Sequence, residues 1–123
     1  MSKSILHIDD EAAIRDIVAE LLKAEGYLVR SVATPGEALD AARTEMPDLI
    51  ISDLQLDEAD GLETIAQLRQ LDAKIPVILL TGVLIDPKVA RETVGRLVTS
   101  YLEKTRPLSE IVREVAKLIG PVK

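Results

Sequence analysis

Two adjacent carboxylates, Asp9 and Asp10, stand where the apolar stretch "SILHI" ends and the chain must turn into a helix. Farther along, Asp53 also follows directly on a short apolar run. Three carboxylates that converge within about 4 Å repel one another by roughly 4 kcal/mol per pair at an effective dielectric constant near 20. Such a cluster therefore needs a bound cation or strongly shifted pKa values.

Side chains of other chemical types follow two later apolar runs. Thr81 and Gly82 come after "PVILL", and Lys104 comes after "SYLE". Magnesium is the natural cation for this set, because it prefers carboxylate oxygens and water and the chain has no cysteine. In that interpretation Asp53 is a nucleophile that accepts a phosphoryl group. Thr81 offers a hydroxyl and Lys104 an ammonium to the phosphoryl oxygens, while Gly82 leaves room for the phosphoryl donor.

A regular alternation of strand and helix patterns positions these residues. Segments with the length and apolar character of strands are residues 4–8, 27–32, 48–52, 76–80 and 100–103. A helix pattern follows each of them, so that five helices are predicted, the fourth over "DPKVARETV" and the fifth over residues 107–119. This alternation predicts an α/β fold with a parallel sheet covered on both faces. The candidate residues are expected to meet beyond the carboxyl ends of the strands.

Composition favours a single domain over residues 1–123, with an aliphatic core. The net charge of -6 argues against a nucleic-acid surface, and no apolar run is long enough to span a membrane. The lack of cysteine and of a charged-then-apolar leader favours the cytoplasm. No output segment follows the last predicted helix, which leaves a stand-alone protein and part of a longer protein both open.

The chain resembles the receiver domain of two-component response regulators along essentially its whole length. The matching pieces are "IDDE", "DLQLDEADGL", "LLTG" and "YLEKT", each at a predicted strand end. The resemblance implies a flavodoxin-like, doubly wound sheet of order 2-1-3-4-5 and a phosphoacceptor switch without turnover on a separate substrate. A sensor histidine kinase or a phosphotransfer protein would phosphorylate Asp53, and an output protein or output domain would read the result. A phosphorylation-dependent dimer is a further expectation.

The resemblance also implies roles for single residues. The Mg²⁺ ligands would be Asp10, Asp53 and the backbone carbonyl of Gln55, with Asp9 acting through water. Tyr101 is similar to the aromatic switch residue of the family, whose ring turns inward as Thr81 moves toward the phosphoryl group. The face made by the fourth helix, the fifth strand and the fifth helix would then carry the output.

Two positions depart from the family pattern. Asp57 stands where many members have proline, and it adds negative charge near the site. Thr105 follows Lys104, where the family usually has proline after a cis peptide bond. A cis bond before a residue other than proline costs about 2.5–4 kcal/mol. Both isomers of the Lys104–Thr105 bond stay open, and a trans bond would place Lys104 somewhat differently.

Plainer interpretations stand beside these. Asp9 and Asp10 would also serve as caps of the first helix. Tyr101 would also fit an edge position with its hydroxyl in water. The single histidine, His7, is expected to be a packed or rim residue of the first strand and not a metal ligand.

Two other functions fit parts of the pattern. A receiver-like module that binds a partner without phosphorylation is favoured by the Thr105 departure. A phosphatase of the haloacid-dehalogenase type also uses Asp, Thr and Lys at strand ends with Mg²⁺. Such an enzyme needs an acid–base Asp two residues after its nucleophile, and this chain has Gln55 there.

Overall fold

The computed structural model describes residues 3–53, 55–56, 59–81, 88, 98–104 and 107–121. Its strands, numbered in chain order, are β1 (Ser4–Ile8), β2 (Leu28–Val32), β3 (Leu49–Ser52), β4 (Val77–Thr81) and β5 (Ser100–Glu103). They form one sheet in the order β2-β1-β3-β4-β5, and every neighbouring pair is parallel. This confirms the predicted flavodoxin-like sheet and its 2-1-3-4-5 order.

Helices follow the strands as predicted. In the described residues they are α1 (Ala12–Ala24), α2 (Pro35–Thr44), α3 (Gly61–Leu71) and α4 (Ser109–Ile119). Of the segment predicted as the fourth of five helices, the structure describes Lys88 alone, and this residue is helical. A short antiparallel ladder of Gln55–Leu56 with Ala59–Asp60 precedes α3 and has no counterpart in the prediction.

The sheet separates two apolar layers, because successive strand residues point to opposite faces. On one face, strand residues such as Leu6 and Leu79 pack with residues of α2 and α3: Ala38, Ala42, Ile65 and Leu68. On the other face, strand residues such as Ile5 and Ile51 pack with residues of α1 and α4: Val18, Leu22, Ile111 and Val115. The central strands are therefore buried on both sides, and their ends are fixed relative to one another.

Local sequence signals mark the end of the first helix and the start of the second. Gly26 has a φ of 98°, a left-handed conformation that favours glycine and ends α1. The Thr34 hydroxyl oxygen accepts a hydrogen bond from the Glu37 backbone N–H at 3.2 Å, with Pro35 in the first turn. These signals depend on a few neighbouring residues, which is why the sequence alone reveals them.

Other limits were wrong by one or two residues. β2 begins at Leu28 and not at residue 27, because the Tyr27 N–H donates to the Leu22 carbonyl at the end of α1, at 3.2 Å. The Tyr27 side chain is buried, and its hydroxyl donates to the Gly120 carbonyl at 2.9 Å. The last helix begins at Ser109 and not at residue 107, since the Pro107 carbonyl is used by a turn that accepts the Glu110 N–H. The third strand likewise starts one residue later, at Leu49, and the fourth runs from Val77 to Thr81 in place of residues 76–80.

None of the helices that the structure describes combines the length and the apolar character needed to cross a bilayer.

Candidate phosphoacceptor and metal site

The carboxylates of Asp9 and Asp53 lie side by side beyond the carboxyl ends of two central strands. β1 and β3 pair through Ile8 opposite Ser52, and the Asp53 N–H then donates to the Ile8 carbonyl at 3.0 Å. The Asp9 N–H donates to the Val32 carbonyl of β2 at 3.1 Å. Both aspartates are thus held by the parallel ladder itself and not by a free loop.

Lys104 reaches the ends of β1 and β3 from the end of the outermost strand, β5. It follows β5 directly, and its Nζ atom is 3.0 Å from Oδ2 of Asp9, 3.0 Å from Oε1 of Glu11 and 3.1 Å from Oδ2 of Asp53. Only 13% of its side chain is exposed. One ammonium therefore neutralises part of a three-carboxylate cluster, as the repulsion argument from the sequence requires.

The pKa values reflect this arrangement. Burial alone would lower the pKa of Lys104, but the hydrogen bonds and charges of Glu11, Asp9 and Asp53 outweigh burial and raise it. Lys104 is consequently a stable cation at neutral pH. Burial raises the pKa of Asp9, against the hydrogen bond from the Glu11 N–H and the ammonium of Lys104. The Asp53 charge acts in the same direction as burial on Asp9.

Asp9 is the most constrained carboxylate of the cluster. Its side chain is fully buried, and its Oδ1 atom accepts the Glu11 N–H at 2.9 Å. Its backbone carbonyl accepts a hydrogen bond from the Arg15 guanidinium at 2.7 Å. Glu11 is the N-cap residue of α1, and its side chain makes no capping hydrogen bond. Asp9 thus supports the start of the helix without being its cap, and its second oxygen is left for the cation cluster.

Four carboxylates could together hold a metal ion. Asp9, Asp10, Glu11 and Asp53 each offer one oxygen, and these oxygens all lie within 4.8 Å of one another. The donor set consists of hard, anionic oxygens, which fits Mg²⁺ and disfavours soft cations. Asp10 is partly exposed and Glu11 is exposed, so that water has access to complete an octahedral shell.

The residues predicted from the sequence are therefore largely brought together. Asp9, Asp10, Asp53 and Lys104 meet at one edge of the sheet. The backbone of Thr81 ends β4 beside Glu103 of β5, at the same edge. Gln55 lies in the short ladder two residues after Asp53. The predictions on other residues fall outside the described part of the chain, namely those on the Thr81 side chain, Gly82, Asp57 and Thr105.

Sequence reasoning missed two contributors to the site. Glu11 was given no role, yet its carboxylate lies as close to the Lys104 ammonium as that of Asp9 does. Arg15, one turn into α1, fixes the Asp9 backbone. His7 was expected to be a packed or rim residue, and the structure confirms that it is packed: it is fully buried, with Nε2 4.0 Å from Oδ2 of Asp9. The period-two alternation of a strand places His7 and Asp9 on one face, which is a signal that the sequence did contain.

Tyr101, the predicted switch residue, lies on β5 three residues before Lys104. It pairs in register with Leu79 of β4, and 38% of its surface is exposed. It lines a surface groove together with Leu102, Glu103 and Glu110. The ring therefore stands at the surface between the site edge and α4.

Comparisons with known proteins agree with this geometry. The family model described as "Response regulator receiver domain" matches residues 5–116. The chain is 42% identical over 82 residues to the alkaline phosphatase synthesis transcriptional regulatory protein PhoP of Bacillus subtilis, covering 67% of this chain and 34% of that protein. It is 31% identical over 130 residues to the response regulator MprA of Mycobacterium bovis, covering all of this chain and 53% of MprA.

The chain thus spans between a third and about half the length of these relatives. Among solved structures, the Vibrio cholerae chemotaxis protein CheY4 superposes with a TM-score of 0.89 at 26% identity. That match covers 96% of this chain and 99% of CheY4.

Proposed function

We propose a signalling function from the premise that this chain belongs to the family of response regulator receiver domains. Residues 1–123 act as a single phosphoacceptor switch of a two-component system in the cytoplasm. A sensor histidine kinase or a phosphotransfer protein supplies the phosphoryl group, and Asp53 accepts it. The domain assists its own phosphorylation and has no turnover on a separate substrate.

One observation carries this proposal. The Lys104 ammonium lies 3.1 Å from the Asp53 carboxylate while also touching Asp9 and Glu11. A nucleophilic carboxylate, a fixed cation and a cluster of further carboxylates are the groups that phosphoryl transfer to an aspartate needs. Lys104 reaches Asp53 although Thr105 stands in place of the usual proline, so that this departure removes no required contact.

Mg²⁺ is the cofactor that this donor set favours. Asp9, Asp10, Asp53 and the backbone carbonyl of Gln55 would hold it, with Asp9 acting through water. Bound there, the ion would neutralise negative charge on the transferred group. Lys104 and the Thr81 hydroxyl would each bind one phosphoryl oxygen, and the absence of a side chain at Gly82 would admit the donor.

In the transfer step, bonds form and break only at the donor and at Asp53. An oxygen of the Asp53 carboxylate attacks the phosphorus atom of a phosphorylated histidine, and a P–O bond forms as the P–N bond breaks. The electron pair of the broken bond stays on the imidazole nitrogen of the donor. The sheet holds the Asp53 backbone, because its N–H donates to the Ile8 carbonyl of β1 at 3.0 Å.

Switching follows from contacts that differ between two states. The phosphoryl group brings about -1.5 to -2 charge units, which Thr81 and Lys104 bind better in the active state. A shift from 1:99 to 99:1 needs about 5.5 kcal/mol of such preference. Inward rotation of the Tyr101 ring would transmit the change to the surface formed by the predicted fourth helix, β5 and α4. An output protein, an output domain or a second copy of the chain would bind there.

The proposal predicts a covalent mass gain of one phosphoryl group. The protein is incubated with acetyl phosphate and Mg²⁺, and its intact mass is measured. We expect the gain in the wild type and in Asp16→Asn, an exposed helix position used as the matched control. The gain should be absent in Asp53→Asn and in the presence of EDTA. Folded, Mg²⁺-binding protein that gains no mass would instead favour a partner-binding module that works without phosphorylation.

A further inference from the structure

His7 is a buried polar residue that the proposed function leaves unused. It is the only histidine of the chain, lies in β1 and has no exposed surface. Neither of its ring nitrogens has a hydrogen-bond partner within the part of the chain that the structure describes. A buried donor or acceptor without a partner costs about 1–3 kcal/mol of stability, so that its presence calls for a physical reason.

The geometry aims the ring at the acidic cluster. His7 and Asp9 are two residues apart on one strand and share a face of the sheet. Nε2 of His7 lies 4.0 Å from Oδ2 of Asp9, about 1 Å more than an N–H···O hydrogen bond. Oδ1 of Asp9 already accepts the Glu11 N–H, so Oδ2 is the oxygen shared between Lys104 and the imidazole.

His7 is fully buried, and burial disfavours the charged form of an imidazole. A neutral imidazole donates from one nitrogen and accepts at the other. The only carboxylate oxygen that the structure shows within 4.0 Å of the ring faces Nε2, which favours the tautomer with the proton on Nε2.

We infer that His7 is a positioning residue for Asp9, donating from Nε2–H to Oδ2 when Lys104 leaves that oxygen. The departure of Lys104 rests on the proposed function, because there the ammonium turns toward the phosphoryl group on Asp53. Asp9 would then keep a fully buried oxygen without its cation, at a cost of at least a lost hydrogen bond. A shift of roughly 1 Å brings His7 within hydrogen-bonding distance and keeps the Asp9 carboxylate oriented for its part in cation binding.

Nuclear magnetic resonance tests this directly, because His7 supplies the only imidazole signals of the chain. In ¹⁵N-histidine-labelled wild type at pH 7, we expect a neutral ring protonated on Nε2. In Lys104→Met, which removes the ammonium without any phosphorylation, the Hε2 signal should move downfield and exchange more slowly with water. Asp9→Asn in the wild-type background should shift the Nε2 signal, whether or not Lys104→Met folds.

A ring protonated on Nδ1, a charged ring, or an Nε2 signal that Asp9→Asn leaves in place would overturn the inference. None of these outcomes depends on phosphorylation, so the proposed function could fail while the role of His7 stands. Conversely, a mass gain at Asp53 beside an Nδ1-protonated ring would reject only the role of His7.

A second measurement separates positioning from packing. Mg²⁺ affinity is measured by calorimetry in the Lys104→Met background, where the ammonium is absent from Oδ2 of Asp9, for His7→Leu, which fills the space without a donor, and for His7→Gln, which retains an N–H donor. Loss of an outer-shell partner weakens metal binding about 10-fold or more, so we expect about that loss in His7→Leu and its recovery in His7→Gln. Equal affinity in the two folded variants would assign His7 a packing role alone.

Discussion

Lys104 balances the charge of the site before any metal or phosphoryl group arrives. Its ammonium lies within 3.0–3.1 Å of oxygens from three carboxylates, two of them on residues that are almost entirely buried. A second cation that binds the same carboxylates must therefore do so against the ammonium. In the proposed function, the residue that would stabilise the phosphoryl group on Asp53 would also compete with Mg²⁺ in the unphosphorylated protein.

This competition predicts that Lys104→Met binds Mg²⁺ more tightly than the wild type. Removing one positive charge from the cluster should strengthen binding about tenfold, which corresponds to about 1.4 kcal/mol. Calorimetric titration with MgCl₂ measures the change, with the exposed Lys117→Met on α4 as the control for loss of one net charge. Unchanged or weaker binding in Lys104→Met, relative to Lys117→Met, would contradict this view of the ammonium.

His7 makes the stability of the fold sensitive to acid. Its pKa is lowered to about 4 in the folded protein, from an ordinary value of 6.5, chiefly because of burial. Between these two pH values the His7 imidazole binds a proton in the unfolded chain but not in the folded chain. The free energy of unfolding therefore falls as the pH drops. The slope is about 1.4 kcal/mol per pH unit, and the loss approaches roughly 3 kcal/mol near pH 4.

Denaturant unfolding of the wild type and of His7→Leu, followed by circular dichroism at a series of pH values, measures this effect. Above pH 6.5 the difference in the free energy of unfolding between the two proteins should be constant. Below pH 6.5 the free energy of unfolding of the wild type should fall steadily relative to that of His7→Leu. Because the chain has one histidine, no other imidazole contributes. Parallel curves down to pH 4 would show that His7 titrates normally.

For single residues, the sequence predicts the candidate reactive side chains better than it predicts the side chains that contact them. Asp53, Thr81 and Lys104 each follow an apolar run, so their positions at strand ends can be read from the chain. The role of Glu11 could not be, because it depends on a distance across the site. Lys104 and Glu11 lie 93 positions apart along the chain, and their side chains come within 3.0 Å only after the sheet has formed.

The helices and short strands of this fold begin and end at residues whose sequence signals differ in strength. α2 begins with the Thr34 hydroxyl as its cap and Pro35 in the first turn, and the same hydroxyl donates to Oε1 of Glu37 at 3.1 Å. These residues lie within positions 34–37, so the cap is visible in the sequence. The ladder of Gln55–Leu56 with Ala59–Asp60 was not predicted, since two-residue strands have no periodicity to detect.

The cap of α2 predicts a stability change without a functional one. Thr34→Ala should lower the free energy of unfolding by about 1 kcal/mol, because the Glu37 N–H loses its acceptor. Thr44→Ala is the matched control, as its hydroxyl donates to the Asp40 carbonyl one turn back, a contact of little net value. Denaturant unfolding compares the two, and Mg²⁺ affinity should be unchanged in both. An equal stability loss in the two variants would refute the capping assignment.

The start of β2 shows why element limits resist prediction. Tyr27 fits a strand pattern, but its hydroxyl donates to the Gly120 carbonyl, 93 residues away. This contact joins the end of α1 to the end of α4, and no local property of the sequence announces it. The same holds for Asp48, whose carboxylate accepts the Ser4 N–H and stands just before β3.

Over the whole molecule, the fold could be predicted because its signals agree with one another. Apolar runs of strand length alternate with helical patterns, and the polar candidates follow the strands at one end. A doubly wound sheet is the arrangement that buries both faces of the runs and gathers those candidates at one edge. The order β2-β1-β3-β4-β5 itself came from the family resemblance, since alternation alone does not determine which strands are neighbours.

The arrangement of the whole sheet also sets what the switch can do. β4 and β5 pair through Thr81 and Glu103, so the end of β4 and the base of Lys104 are adjacent. Tyr101 lies on β5, which Lys104 follows directly, and Tyr101 lines a surface groove with Glu110 of α4. In the proposed function, a phosphoryl group bound by Thr81 and Lys104 therefore acts on β5, the strand that carries Tyr101.

The most direct test of the account is to locate the phosphoryl group chemically. Protein treated with acetyl phosphate and Mg²⁺ is reduced with borohydride, which converts an acyl phosphate into an alcohol, then digested and analysed by peptide mass spectrometry. If Asp53 is the phosphoacceptor, we expect homoserine at position 53 and unchanged aspartate at positions 9 and 10. Homoserine at position 9 or 10 with aspartate intact at position 53 would contradict it.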